Sequence, residues 1–415
     1  MKEHLLEDID TIVCFRVISD NVDPVRDNLS ILQDNSFHGV NAQQQGRYTL
    51  NSEMSFYLDM PEVCKKYDIQ YSSVRLHAGF NLYEEFDSRI SKLGRVLYII
   101  EPWVLYAGYV TLLDLKLLDP ECRIACLAWD DFYYLSNMFP HEFCIENIEL
   151  ADLYMTNEPR KVKMLRESLG VNAQFYISTP CKKMLEICEE RISQNSKTSN
   201  QYIERSTEIG AFMTFRSGNT YRSRLKRYLN RTFDNTLLGA SDTQHLANKN
   251  VIETLSDYLS IKTHLGNTSS AWAGDDDMRK SGYWHRCGNP NCTRPKCRET
   301  KIVMPSFYQE HKLKTHLQRC MKGVKDFLAP LMGSILIYDD FYWNKIFYKD
   351  VFPIYEYDDI ETIRTVYDKV TKDEDTINKV LSKQVSWIKE HSFFNQFTNI
   401  LDNGTSSFEE ELVNA

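Results

Sequence analysis

Apolar and polar residues alternate in two rhythms along this chain. Short apolar runs at 8–18, 69–76, 95–100, 123–128, 152–156 and 174–177 read as strands. Stretches with helical spacing and composition fall between them, at 23–33, 52–67, 84–93, 103–117 and 159–169. Pro24 suits a first helical turn, Ser52 a helix cap and Gly170 a helix end. Polar residues 43–46 read as a loop. Strand and helix in alternation predict a mostly parallel sheet covered on both faces.

A helix at 181–194 leads to the small polar run 195–201, a hinge by composition. The rhythm then restarts with strand 208–215, helix 221–229, strand 234–239 and helix 251–264. Residues 268–297 are irregular and rich in Gly, Asp and Cys. Next come a strand at 301–304, a basic helix at 309–331 and a strand at 334–338 that ends on Asp339 and Asp340. Leu313, Leu317, Met321, Val324 and Phe327 share one stripe of that helix, and Pro330 and Gly333 mark its end. In an open α/β sheet, such an element lies on the nucleotide side, because ligands gather at strand C-termini and helix N-termini. A strand at 354–357, helices at 359–371 and 374–391, a segment at 393–401 returning to the first domain, and a mobile polar tail complete the pattern. No short repeat is present. The expected fold class is α/β, with two Rossmann-like domains facing each other. The first spans 1–195 and the second 196–390, with a Cys-rich insert at 268–300. A return segment and tail occupy 391–415.

A chain of 415 residues suits two or three domains, and 42% hydrophobic content is enough to bury a core. The net charge of −9 excludes a uniformly basic nucleic-acid-coating protein. The charge is uneven, however. Arg279 to Lys325 holds 12 basic and 2 acidic residues, a local +10 that leaves −19 on the rest. A basic island on an acidic protein predicts an anion site. The start, MKEHLLEDIDTIVCF, shows no signal-peptide pattern, and no apolar run is long enough to span a bilayer. Eleven cysteines without a secretory signal predict reduced thiols and a cytoplasmic location.

Three constellations can carry chemistry. Arg216, Ser217 and Gly218 follow a strand and open a helix that adds Arg222, Arg224, Lys226, Arg227 and Arg231. Gly admits close backbone approach, the helix N-terminus donates N–H groups, and Arg grips phosphate oxygens in pairs. The chain lacks both GxGxxG and the Walker Gly-Lys signature, which disfavours classical dinucleotide and P-loop folds. Asp130 and Asp131 follow a buried strand, where a carboxylate can serve as general base or as a helix cap. Finally, His285, Cys287, Cys292 and Cys297 stand among Gly, Pro and Asn, a set that suits tetrahedral zinc; Cys320, His311 and His316 are rival fourth ligands. No water-activating Glu motif lies nearby, so the metal reads as structural.

The order of these pieces resembles the GT-B glycosyltransferases. IACLAWDDFYYL, ELADLYMTNEPRKVKMLRESLGV, IGAFMTFRSGNTYRSRLKRYL, KDFLAPLMGSILIYDD and IYEYDDIETI follow one another as in that family. The layout, with WDD at the acceptor-base position, is also similar to the DNA-modifying glucosyltransferases of T-even phages. The resemblance covers most of the chain at pattern level. It implies that the second half binds a UDP- or GDP-sugar and the first half binds the acceptor. It also implies a bacterial or virus-infected host cytoplasm. On this view Arg216, Ser217, Gly218, Lys314, Lys325, Asp326, Gly333 and Ser334 bind donor, and Asp130 or Asp131 deprotonates the acceptor hydroxyl. The sequence departs from the family where Leu328 replaces a donor-binding Glu, for which Asp326 or Glu310 can substitute. Trp129 stands where the phage enzymes have His, and the Cys-rich insert has no counterpart.

Two acceptors fit these residues. The +10 island and the zinc knuckle favour a hydroxylated base in DNA. The acidic total favours a glycan or small molecule. A non-enzymatic, zinc-bearing nucleic-acid-binding protein is a third reading, but the α/β pattern is longer than a binding module needs. The zinc expectation has a direct test. Protein purified without chelator should contain one zinc per chain by elemental analysis. Well under one zinc, with every thiol titrating, would leave the Cys-rich stretch without its metal.

Overall fold

The computed structural model describes residues 5–17, 52–76, 80–100, 104–105, 109–128, 147–157, 159–196, 202–212, 220–238, 251–266, 324–340, 342–348, 350–356 and 359–414. The first elements are β1 (Thr11–Val17), α1 (Ser52–Tyr67), β2 (Gln70–Leu76), α2 (Leu82–Ser88), β3 (Val96–Ile100), α3 (Leu112–Leu118) and β4 (Arg123–Ala128). Next are β5 (Leu153–Thr156), α4 (Pro159–Leu169), β6 (Ala173–Phe175), α5 (Lys182–Ser196), β7 (Thr207–Ala211), α6 (Thr220–Thr232) and β8 (Thr236–Leu238). Then come α7 (Val251–Tyr258), β9 (Ile261–Leu265), α8 (Val324–Leu331), β10 (Ile335–Asp339), α9 (Tyr342–Phe347) and β11 (Ile354–Tyr355). The last four helices are α10 (Thr362–Val370), α11 (Glu374–Glu390), α12 (Phe393–Asn403) and α13 (Glu409–Asn414). No helix among the described residues is long and apolar enough to cross a membrane.

The chain divides into two compact units: Met1–Leu185 with Asn250–Ile252 and Glu390–Ala415, and Glu186–Lys249 with Glu253–Lys389. The first holds a parallel sheet in the order β2-β1-β3-β4-β5-β6. Its central strands are buried on both faces, as an all-parallel sheet requires. Ile12, Cys14, Leu97, Ile99, Ala125, Leu127, Leu153 and Met155 form one face. That face packs on Met60, Val63 and Cys64 of α1 and on Phe393, Phe397, Ile400 and Leu401 of α12. The return segment thus completes the core of the first unit.

The second sheet has the order β11-β10-β9-β7-β8, again all parallel. Counted from its own first strand, it repeats the order 2-1-3-4-5 of the first unit. Both are doubly wound, Rossmann-like sheets. In each, the order reverses between the first and third strands, which opens a crevice at their C-terminal ends. One face of the second sheet packs against α6 and α10 through Leu225, Leu229, Ile363, Tyr367 and Val370. On the other face Phe327 of α8 meets Tyr338, Tyr348, Phe352 and Trp387 at ring-centroid distances of 5.6–6.3 Å.

Two glutamines close the sheets where a neighbouring strand is missing. Leu336 lies ahead of the point where β11 joins β10. Its N–H donates to Gln384 Oε1 at 3.0 Å, and its carbonyl accepts from Gln384 Nε2 at 2.7 Å. Two residues on, Tyr338 N–H finds the Pro353 carbonyl at 2.9 Å, where the real strand takes over. Gln396 does the same for Ile177 beyond β6, with both bonds at 2.9 Å.

Several sequence expectations change. The helix expected at 251–264 is α7 followed by β9. Ile261, Thr263 and Leu265 alternate with Lys262 and His264, a period of two in a stretch too short to separate from helix by composition. The helix expected at 103–117 is interrupted: residues 104–105 are helical, residues 109–111 are not, and α3 starts at Leu112, where Thr111 caps it by accepting from Asp114 N–H at 2.9 Å. Pro330 lies inside α8, which ends at Leu331 and is followed by a turn at Gly333, whose φ of +79° favours glycine. The tail expected to be mobile is tied down. Arg166 donates twice to Glu409 at 2.6 and 2.9 Å, and Gln174 engages Gly404 O and Ser406 N–H. Phe408 packs on Phe175. The boundary expected at 195 falls within α5. The elements expected at 23–33, 43–46 and 301–304, most of the helix expected at 309–331, and the Cys-rich insert lie outside the described residues.

Gln384→Leu should test the strand-surrogate role. It buries the Leu336 N–H and C=O without partners, so urea unfolding should show a loss of about 2–3 kcal/mol. A loss under about 0.5 kcal/mol would mean that water replaces the amide there.

Candidate functional site

The crevice of the second unit lies at the tips of β7 and β9. His264 is the penultimate residue of β9 and is fully buried. Strand alternation turns it away from the face that holds Leu265, toward the side occupied by α8. There its Nε2 lies 3.3 Å from Oδ1 of Asp326, in the first described turn of α8. Both side chains are almost completely dry, at 0% and 4% exposure. The carboxylate sits near the helix N-terminus, where the backbone dipoles favour negative charge. A buried carboxylate orients an imidazole and fixes which nitrogen carries the proton.

Aromatic rings wall this pair. Phe212, just beyond β7, and Tyr258 of α7 each lie 5.2 Å from the His264 ring. Tyr338 of β10 stacks on Tyr348 at 5.0 Å. Burial first, and the Asp326 charge second, push the Tyr258, Tyr338 and Tyr348 hydroxyls well above the ordinary phenol range, so all three are neutral. Gly266, the residue after β9, lies against the Tyr338 ring, and a Cβ there would collide with it. His264 Nδ1 and the hydroxyls of Tyr338 and Tyr348 are buried without a hydrogen-bond partner among the described residues. Beside them, Asn344 Nδ2 donates to the Asp339 carbonyl and carboxylate, both at 3.0 Å, and Lys345 pairs with Asp340 at 3.0 Å.

The opposite end of this sheet is closed by a buried arginine. Arg205 donates to the carbonyls of Tyr258, Ile261 and Met332 and to Ser334 Oγ, at 2.8–3.1 Å. Ser334 Oγ also lies 2.8 and 2.7 Å from the Tyr258 and Ile261 carbonyls. Burial lowers the Arg205 pKa to about 10, and it keeps its charge at neutral pH.

The sequence-derived donor set separates on this frame. Asp326 joins the strand-tip cluster, and Lys325 precedes it on α8. Gly333 and Ser334 do not belong with them. They sit at the N-terminal end of β10, where the Ser334 hydroxyl is saturated and a Cβ on Gly333 would collide with Arg205. There they form part of the joint with Arg205. Arg216, Ser217, Gly218, Lys314, Asp130, Asp131, His285, Cys287, Cys292 and Cys297 lie outside the described residues. Among the described residues, no cluster of three or more His, Cys, Asp or Glu could hold a metal. The sequence reading missed His264, because it placed that residue in a helix.

In the first unit, β4 ends at Ala128, and its neighbour β5 ends on the buried Thr156 and Asn157. Asn157 Nδ2 donates to Ser178 Oγ at 3.4 Å. A surface depression of about 510 Å3 lined by Leu6, Glu7, Ile9, Tyr67, Asp68 and Ile69 lies at the wrong end, ahead of β1 and β2. Ligands of doubly wound sheets bind beyond the strand C-termini.

No family model and no curated protein matches this chain. Among solved structures, sucrose-phosphate synthase from Thermosynechococcus elongatus is similar at 10% identity and a TM-score of 0.46, over 98% of this chain and 99% of that one. The N-terminal domain of Candida albicans trehalose-6-phosphate phosphatase is similar at 12% identity and a TM-score of 0.43, over 98% and 97%. At this level of likeness neither protein's activity transfers to this chain.

Gly266→Ala should crowd Tyr338 and destabilise the protein by about 2 kcal/mol in chemical denaturation, as overpacking does. Wild-type stability would show that the Tyr338 ring can shift aside.

Proposed function

We propose that the protein is a nucleotide-sugar-dependent glycosyltransferase of GT-B type, which moves a sugar from a UDP- or GDP-sugar to an acceptor hydroxyl. The observation that supports this reading most is the repeated strand order. Two doubly wound parallel units, each with its own crevice, provide one site for a nucleotide and one for an acceptor. The sequence motifs divide in the same way. Asp130 and Asp131 follow β4 of the first unit, and Arg216 follows β7 of the second.

In this mechanism Asp130 or Asp131 takes the proton of the acceptor hydroxyl as its oxygen forms the new glycosidic bond. The bond from the anomeric carbon to the diphosphate breaks, and the nucleoside diphosphate leaves. Arg216, the N-terminus of the following helix, and Lys314 or Lys325 stabilise the charge that develops on it. Asp326 orients donor-binding groups. Side-chain cations supply that stabilisation without a bound metal. The insert is proposed to hold a structural zinc through Cys287, Cys292, Cys297 and His285.

For the acceptor, the +10 island favours DNA carrying a hydroxylated base, with the protein acting in the cytoplasm of a bacterial or virus-infected cell. A panel of UDP- and GDP-sugars, offered with hydroxymethylated duplex DNA or with glycans, tests both halves of the reading. Transfer to DNA is the expected result. Transfer only to glycans would move the acceptor, and neither transfer nor donor hydrolysis would remove the reading. Arg216→Ala should weaken nucleoside diphosphate binding by about 2 kcal/mol in calorimetry. Asp130→Asn should keep that affinity and lower turnover roughly 10²-fold. Full turnover in both Asp130→Asn and Asp131→Asn would rule out a carboxylate base there.

A further inference from the structure

We infer that His264 is a ligand-contacting residue of the second unit, and that its Nδ1 accepts a hydrogen bond from a sugar hydroxyl of the bound nucleotide sugar. The inference rests on the donor-site reading above. Its starting point is an atom that the fold leaves unsatisfied. Nδ1 is buried and has no partner among the described residues. Leaving a buried polar atom without a partner is costly, so its persistence calls for an explanation. Most buried orphans are explained by ordered water or local strain. This one sits at the switch point between β7 and β9, where doubly wound sheets take their ligands.

The partner chemistry follows from the tautomer. Asp326 Oδ1 lies within hydrogen-bond distance of Nε2, and the tautomer with the proton on Nε2 serves that contact and leaves a lone pair at Nδ1. Nδ1 is then a lone-pair acceptor and suits a hydroxyl donor, not a phosphate oxygen. The groups facing the ring agree. Tyr258 beside the ring is neutral, as are Tyr338 and Tyr348 near Asp326, and among the described residues Asp326 is the acidic side chain paired with His264. Asp326 acts through His264 as a positioning residue. The hydroxyl can belong to the nucleotide ribose or to the transferred sugar.

His264→Gln separates ligand contact from fold. A glutamine amide can still donate to Asp326 but offers nothing at the Nδ1 position. Calorimetry on the full-length protein with UDP, GDP, their glucose conjugates and inorganic pyrophosphate should show about tenfold weaker binding of the sugar-containing ligands and unchanged pyrophosphate affinity. Loss already with the nucleoside diphosphate assigns the ribose; loss confined to the glucose conjugate assigns the transferred sugar. Equal weakening of pyrophosphate, or no weakening at all, overturns the inference while the donor reading stands. Wild-type protein that binds none of these ligands overturns both. If His264→Gln fails to fold, the 15N resonance of His264 Nδ1 in the wild-type protein decides. It should move on addition of the ligand, and a resonance indifferent to ligand marks a structural water in its place.

Discussion

A parallel sheet can persist only if every buried backbone group along its edges finds a partner. That constraint shapes both halves of this protein. β11 pairs with β10 only from Tyr338 onward, so the Leu336 peptide groups would otherwise be stranded; Gln384 supplies the missing N–H and C=O from a helix. Gln396 does this beyond β6, and its Nε2 also reaches the Thr179 hydroxyl and the His391 carbonyl. Because Gln396 sits on α12, the last residues of the chain become part of the first unit's edge. Arg166–Glu409 and the Gln174 bonds extend the same seal. The C-terminal segment is thereby held by these hydrogen bonds together with the apolar contacts of Phe393, Phe397, Ile400, Leu401 and Phe408.

The second sheet treats its two ends differently. At the N-terminal end Arg205 brings four acceptors together from two chain segments, 258–261 and 332–334. Charge-assisted bonds of this kind are among the stronger ones in a folded protein, and they leave no room for a ligand. At the C-terminal end the polar atoms are only half satisfied. His264 has Asp326 on one nitrogen, and the Tyr338 and Tyr348 hydroxyls lack partners among the described residues. The second sheet thus has the Arg205 joint at one end of its strands and the His264–Asp326 pair toward the other.

Most of the sheet was legible in the sequence because parallel strands are buried on both faces and read as continuous apolar runs. Arg123–Ala128 was read without error for that reason. β9 was not, because IKTHL is short, carries Lys and His, and continues a helical stretch without a breaker before Gly266. Missing that strand hid His264, the one strand-tip histidine in the described part of the unit. Asp326 was legible only through a resemblance. Its pairing with His264 joins residues 62 positions apart, which no local pattern encodes. The surroundings of the Gly333–Ser334 pair were not legible either. A Gly-Ser turn before an apolar strand looks the same whether it cradles a phosphate or packs on an arginine, and only the Arg205 contacts decide.

The topology also says where the basic island is tethered. The chain leaves β9 at Gly266, on the C-terminal edge of the sheet, and returns at α8. Contact between Asp326 and His264 places the start of α8 at that same edge, while its end leads through Gly333 to the start of β10. Both anchors of the β9–α8 connection therefore lie at the ligand end of the strands. That connection contains Arg279 to Arg319 and the Cys-rich stretch, and Lys325 follows it directly. Electrostatic attraction falls off within about 8–10 Å at physiological salt, so a positive island serves an anionic ligand only if it is tethered close to it. The connection that contains the +10 segment is therefore attached at the C-terminal edge of the second sheet and not at the Arg205 end.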